Sequence, residues 1–281
     1  MGNNVTIAQF ALLLLTTLLF SGAFALGLHN IRHAADLAPA APSPSIGLPA
    51  RAAIAAATLF DLILLIWRAI TESKLSLPLS NHFDAFTLLA LLLAVALIYF
   101  RWTRHLRSLS LFLLPMIVAF LLLGALLSLF SSQTYDYGNI WIRLHIGTII
   151  AGTLCFTLGC VGGIVYLIAH RQLKHTSHRW KGLPPLASIE KFNQWMINLG
   201  FPLLTIAMLT GVLRVVQDPN LFQRTPLLWK ITLAILAWLV YAVIAHLPLA
   251  PRFRGPRAAW LWIIGFALFL GGFIIANGIR T

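Results

Sequence analysis

The sequence predicts an all-α membrane protein, a polytopic bundle of about eight transmembrane helices with almost no soluble domain. Three observations carry this prediction. Of the 281 residues, 59% are hydrophobic and only 10% charged, and the mean hydropathy is +0.88. Soluble domains carry about 25% charged residues, so a chain this apolar has lipid as its solvent. Apolar stretches near twenty residues long recur along the chain, the length a helix needs to cross the hydrocarbon core. No stretch shows the ten-residue alternation of a transmembrane barrel, so the backbone polar groups must be satisfied within helices.

The spans fall at 5–27, 51–71, 82–100, 109–131, 144–169, 197–216, 227–249 and 258–279. The first lacks a basic leading region and a small-residue cleavage site, and reads as a retained helix rather than a signal peptide. The connector 28–50, rich in Ala and Pro, reads as irregular. The fifth span contains Cys155 and Cys160, which at this spacing in an apolar helix read as small packing residues. The sixth contains Pro202, and the seventh begins near Lys230, which can snorkel outward. The whole chain, 1–281, reads as one integral membrane domain.

A formal net charge of +13 suggests a nucleic-acid partner until its distribution is considered. Loops 28–50, 101–108, 170–196 and 250–257 hold twelve Lys and Arg residues, against four in the alternate loops and the tail. This asymmetry is the positive-inside signal, which places the richer set in the cytoplasm and both termini outside. The basicity is thus a topology signal, with the lipid bilayer as partner and no nucleic acid. In a bacterium this means the inner (plasma) membrane, with both termini periplasmic.

Nucleotide and thiol chemistries lack their residues: there is no Walker sequence, no GxGxxG unit and no CxxC pair. No Ser-His-Asp arrangement stands out, so no catalytic residue is assigned. His170, His175 and His178 lie among basic residues in the 170–196 segment and read as a solvated, membrane-facing loop. Polar residues within spans are more informative, because each costs free energy in the membrane. Asp61 and Arg68 lie seven residues apart on the second span, hence on one face about two turns apart. Both should face the bundle interior, too distant from each other for direct contact.

Two histidines sit at span ends: His145 in WIRLHIGTIIAGTL and His246 in WLVYAVIAH. Neutral imidazole is a common axial haem ligand and need not carry charge in lipid. The alternative reading is an interfacial polar residue. His246 lies sixteen residues beyond Lys230, roughly 24 Å along a straight helix. The two histidines therefore lie near opposite membrane faces and cannot both bind one iron.

Several segments together resemble the cytochrome c assembly family, the CcsA/HemX-type membrane proteins. LPLSNHFDAFTLLALL at 77–92 is similar to the family's "PLSNLYESL" helix entry. RLHIGTIIAGTLCFTLGCVGGIVYLI at 143–168 resembles its "MMHVSMMVLSYAALL" helix, and LPPLASIEKFNQWMINLGFPLLTIAMLTGVL at 183–213 its "LDNLSYRIIGFPFLTIGILSGAV" segment. LLWKITLAILAWLVYAVIAH, followed by GPRAAWLWIIGFALFLGGFIIANGI, resembles the closing helix pair. The likeness covers roughly residues 77–279.

That resemblance implies haem chemistry. Family histidines flank a periplasmic aromatic segment, WGxxWxWDPKET, that holds haem for delivery to apocytochrome c. His145 matches the first periplasmic histidine, and His246 the histidine of the transmembrane haem site. The aromatic segment should fall at 214–230, which here reads RVVQDPNLFQRTPLLWK, so that only Trp229 and Lys230 stand near its later residues. The second periplasmic histidine would follow the last helix, where the sequence reads ANGIRT. These features resemble the short, YpjD-like branch of the family, and they argue against haem attachment while leaving haem binding as the expectation. Membrane depth adds His82 as a candidate partner for His145, and His29 or His33 for His246. The resemblance thus implies haem b as cofactor, His145, His246, His82 and Trp229 as its contacts, and other cytochrome c maturation proteins as partners. The alternative is a non-enzymatic membrane scaffold that has lost haem. A solute transporter would show inverted repeats and interrupted helices, and no convincing repeat is present.

Overall fold

In a computed structural model the chain is described over residues 6–36, 47–71, 79, 81–102, 109–130, 140–175, 183–217, 226–246 and 255–278. Among the described residues eight α-helices run in order: α1 Ile7–Asp36, α2 Leu48–Thr71, α3 His82–Trp102, α4 Leu109–Phe130, α5 Ile140–His175, α6 Leu186–Gln217, α7 Pro226–His246 and α8 Pro256–Gly278. Among the described residues there is no strand. Seven of these helices are long and apolar enough to cross a membrane, and α7 contributes a shorter apolar stretch, Ile231–His246. The protein is a polytopic helical membrane bundle.

Three helices overrun their apolar spans. α1 continues through the polar HNIRHAAD to Asp36, so residues 28–36 are helix rather than irregular connector. α5 runs on to His175, and α6 starts at Leu186, eleven residues before its apolar span. The reason is physical: hydropathy marks where lipid ends, whereas a helix satisfies its own backbone hydrogen bonds in water as well as in lipid. Residues 37–46 and 176–182, including His178, lie outside the described residues.

The helices form two compact units, Met1–Tyr135 with Ile168–Pro185, and Asp136–Leu167 with Leu186–Thr281. In the first unit, α1 to α4 pack as an up-and-down ring, with α1 against both α2 and α4 and α3 against both α2 and α4. Local signals start two of these helices. Thr6 and Gln9 form a reciprocal capping box at the head of α1, at 3.0 and 3.3 Å. The Asn81 side chain caps α3 by accepting from the Asp84 N–H at 3.1 Å. Glycines set the close approaches: a Cβ on Gly124 of α4 would lie 2.9 Å from the Phe86 Cβ of α3.

In the second unit α7 packs against both α6 and α8, and α5 makes close approaches to α6 and α8. Small residues let α5 approach its neighbours: a Cβ on Gly159 would overlap the Trp262 ring of α8, and one on Gly163 would lie 2.9 Å from the Ala259 carbonyl oxygen. At the centre Phe156 of α5 stacks on Tyr241 of α7 with ring centroids 3.7 Å apart, and Phe269 and Trp262 of α8 meet this pair edge-on. Gly255 opens α8 at φ 78, a left-handed conformation that glycine adopts at no steric cost.

Candidate functional site

The site is built on α6, where Ile206–Gly211 present a turn to the first turns of α5. The Thr210 hydroxyl donates within its own helix, at 2.8 Å to the Ile206 carbonyl or 3.0 Å to that of Ala207. Across the helix pair, His145 Nδ1 lies 2.8 Å from the Ala207 carbonyl oxygen and 3.1 Å from Thr210 Oγ1. A carbonyl only accepts, so Nδ1 carries the proton and Nε2 keeps its lone pair. Gly211 makes room for the ring, since a Cβ there would lie 3.0 Å from His145 Cε1. The half-buried imidazole is thus oriented by the helix backbone, with Nε2 making no hydrogen bond among the described residues.

His246 reaches the same electronic state by a different route. It is exposed at the last position of α7, and its Nδ1 lies 2.7 Å from the Ala242 carbonyl oxygen one turn back. Here too Nδ1 donates and Nε2 is left as the basic nitrogen. Trp238 Nε1 donates to Thr205 Oγ1 at 3.0 Å, which fixes the level of α7 against α6. Eight residues separate Trp238 from His246, away from the level of Ala207. The two imidazoles therefore lie roughly 15–20 Å apart along the axis of the second unit. They are separate positions, not one bis-histidine site.

His82 opens α3 in the first unit, where it is buried. His29 is exposed on α1, while the side chains of His33 and Trp229 lie outside the described residues. Cys155 and Cys160 are both buried free thiols, and a Cβ on Gly200 of α6 would come within 2.9 Å of the Cys155 Cβ, so this position serves close packing. Among the described residues, no three His, Cys, Asp or Glu side chains converge on a metal position.

Sequence reasoning missed a second polar feature. Arg68 of α2, 1% exposed, pairs through Nε with the Asp84 carboxylate of α3, also 1% exposed. Its Nη1 donates to the Gln9 side-chain oxygen of α1 at 3.1 Å, and its guanidinium lies over the Phe83 ring, 4.8 Å from the centroid. Gln9 and Asp84 each stand at the third position of a capped helix start. Those caps were the available signal, since they hold both groups at one end of the first unit. Asp61 faces inward on α2 at 0% exposure but takes no part in this network.

A multi-pass helical membrane protein with a backbone-oriented imidazole at the end of one span defines the class. Comparison with known proteins narrows it further. Residues 79–277 match the family described as cytochrome C assembly protein, and the chain belongs to that family. It is 26% identical over 147 residues to "Cytochrome c biogenesis protein CcsA" of Chlamydomonas reinhardtii, covering 50% of this chain and 40% of that protein. It is 22% identical over 248 residues to the CcsA of Heterosigma akashiwo strain NIES-293, covering 73% and 76%. "Inner membrane protein YpjD" of Escherichia coli K12 is 27% identical over 157 residues, covering 54% of this chain and 58% of that protein. The matched segment thus spans less than half of the Chlamydomonas relative and three quarters of the Heterosigma one. No solved structure matches the chain. The family match supports a role in cytochrome c biogenesis, and the apolar helices support a multi-pass membrane setting.

Proposed function

We propose that this protein binds haem b within the membrane during cytochrome c biogenesis, with His145 as an axial ligand. The observation that carries this reading is the bond from His145 Nδ1 to the Ala207 carbonyl at 2.8 Å. Histidine ligands characteristically donate their second ring nitrogen to a backbone carbonyl or carboxylate, which fixes the tautomer and raises the basicity of the ligating nitrogen. His145 has that arrangement before any ligand is added. Haem would supply an iron that accepts the Nε2 lone pair. The chain's own task is to hold the imidazole in the correct tautomer and to keep the surrounding span apolar.

His246 has the same tautomer at the other end of the second unit and enters the proposal as a separate ligand position. Trp229 enters as a further contact and His82 of the first unit as a separate candidate position, each tested by its own alanine variant. The basic-loop asymmetry supports periplasmic termini, and in that orientation His145 is at the outer end of α5. Partners, in this reading, are other membrane-embedded cytochrome c maturation proteins. Attachment of haem to an apocytochrome is not part of the proposal, because 214–230 does not reproduce the family's WGxxWxWDPKET segment and keeps a single tryptophan, Trp229, where that segment has three.

That same loss favours a second reading, a membrane scaffold that stabilises a partner without haem. Purification from cells supplied with a haem precursor separates the two. Haem retained by the wild type, and reduced or spectrally altered in His145→Ala, supports the first reading. Haem-free wild type that also fails to bind added hemin supports the second.

A further inference from the structure

We propose that Asp61 is a proton-binding site inside the first unit, independent of the histidine positions in the second. Asp61 sits near the middle of α2, 0% exposed, and neither carboxylate oxygen has a hydrogen-bond partner among the described residues. An ionised carboxylate in that position would be an uncompensated charge taken out of water. The one cation sharing its helix face, Arg68, is already neutralised by Asp84. Ionisable groups at such depth in a membrane protein tend to mark ion or proton pathways.

The groups packed around α2 sharpen the assignment. α1 and α3 are the helices that meet it in this unit. The Gln9–Arg68 bond sets the register of α1 against α2, so seven residues inward on each helix, about 10.5 Å, stand Thr16 and Asp61. Thr16 and Thr17 are buried, and their hydroxyls donate to the Leu12 and Leu13 carbonyls of their own helix, leaving oxygen lone pairs as the polar groups at that level. On α3 the same step from Asp84 reaches Leu91. The titratable groups of α3, His82, Asp84, Tyr99 and Arg101, lie in its first and last turns. On α1 His29 is exposed toward the far end, and on α2 Arg51 is exposed in the first turn. Asp61 therefore faces hydroxyls and hydrocarbon, an environment that admits a carboxylic acid and disfavours its anion. Release breaks one O–H bond, leaves the carboxylate and passes the proton to water; uptake reverses this.

Infrared spectroscopy of the full-length protein in lipid nanodiscs tests the assignment. At neutral pH the wild type should show the carbonyl stretch of a protonated carboxylic acid that shifts in D2O, showing exchange with solvent. Asp61→Asn should abolish this band. Asp61→Glu, labelled with 13C-glutamate, should restore it at an isotope-shifted position, which keeps the test intact if the Asn variant folds poorly. A wild type without the band, a band undiminished in Asp61→Asn, or one that never exchanges with D2O overturns the proposal.

Discussion

His145 and Ala207 are joined across α5 and α6 by a 2.8 Å bond from an imidazole Nδ1 to a main-chain carbonyl. Since the acceptor is backbone, no substitution at position 207 removes it. The turn can be disturbed only by altering what packs around the ring. Gly211→Ala would place a methyl 3.0 Å from His145 Cε1 and shift the imidazole. Supporting changes of this kind cost about 10- to 100-fold in metal affinity. A hemin titration of Gly211→Ala should show a loss in that range with the helical circular dichroism unchanged.

The tautomer itself is measurable without haem. In 15N-histidine-labelled haem-free protein, solid-state NMR should show His145 protonated at Nδ1, and Thr210→Val should leave the Ala207 bond as its remaining tether. Protonation at Nε2 alone would mean that the bond to Ala207 is absent.

Arg68 and Asp84 form a desolvated pair, each 1% exposed, so removing one partner strands the other charge. Breaking such a pair costs about 3–5 kcal/mol, whereas replacing both partners by well-packed apolar residues is often near neutral. Asp84→Leu should therefore lower the unfolding temperature in detergent sharply, and Arg68→Met/Asp84→Leu should recover most of the loss. Equal destabilisation by the single and double variants would show that the charge pairing is not the cause.

The second unit depends on glycine for its closest approaches. A Cβ on Gly159 would overlap the Trp262 ring, and overpacking a filled core typically costs about 1–3 kcal/mol. Gly159→Ala should be less stable in a thermal-shift assay, and Gly159→Ala/Trp262→Leu should regain part of the difference. Gly271 offers the control, since nothing lies within 4 Å of its would-be Cβ. Gly271→Ala should be close to neutral.

The spans were legible because hydrophobicity and length decide them almost alone. Their ends were not, as α1 and α6 show: polar flanks remain helical once the chain leaves the hydrocarbon. Asp61 and Arg68 were readable as inward-facing from their seven-residue spacing. The partner of Arg68 was not, because Asp84 sits sixteen residues on and on another helix, beyond the reach of any helical period. His145 stood out as an imidazole at a span end, yet its orienting partner is a main-chain carbonyl, and every residue has one. The Asn81 cap that sets Asp84 in the first turn of α3 went unread in the sequence.

Orientation is open to direct test. Fusions of an alkaline phosphatase or fluorescent reporter after residues 105 and 255 should both report a cytoplasmic location, consistent with the basic loops between α3 and α4 and between α7 and α8. A periplasmic location at either site would invert or renumber the helices.

Haem ligation by His145 is read out by absorption spectroscopy of purified protein and of His145→Ala, each reconstituted with hemin and reduced. A His145 ligand requires a Soret and α-band in the wild type that are lost or shifted in the variant while its helical fold persists. Identical spectra for the two proteins, or a wild type that binds no hemin, would contradict it.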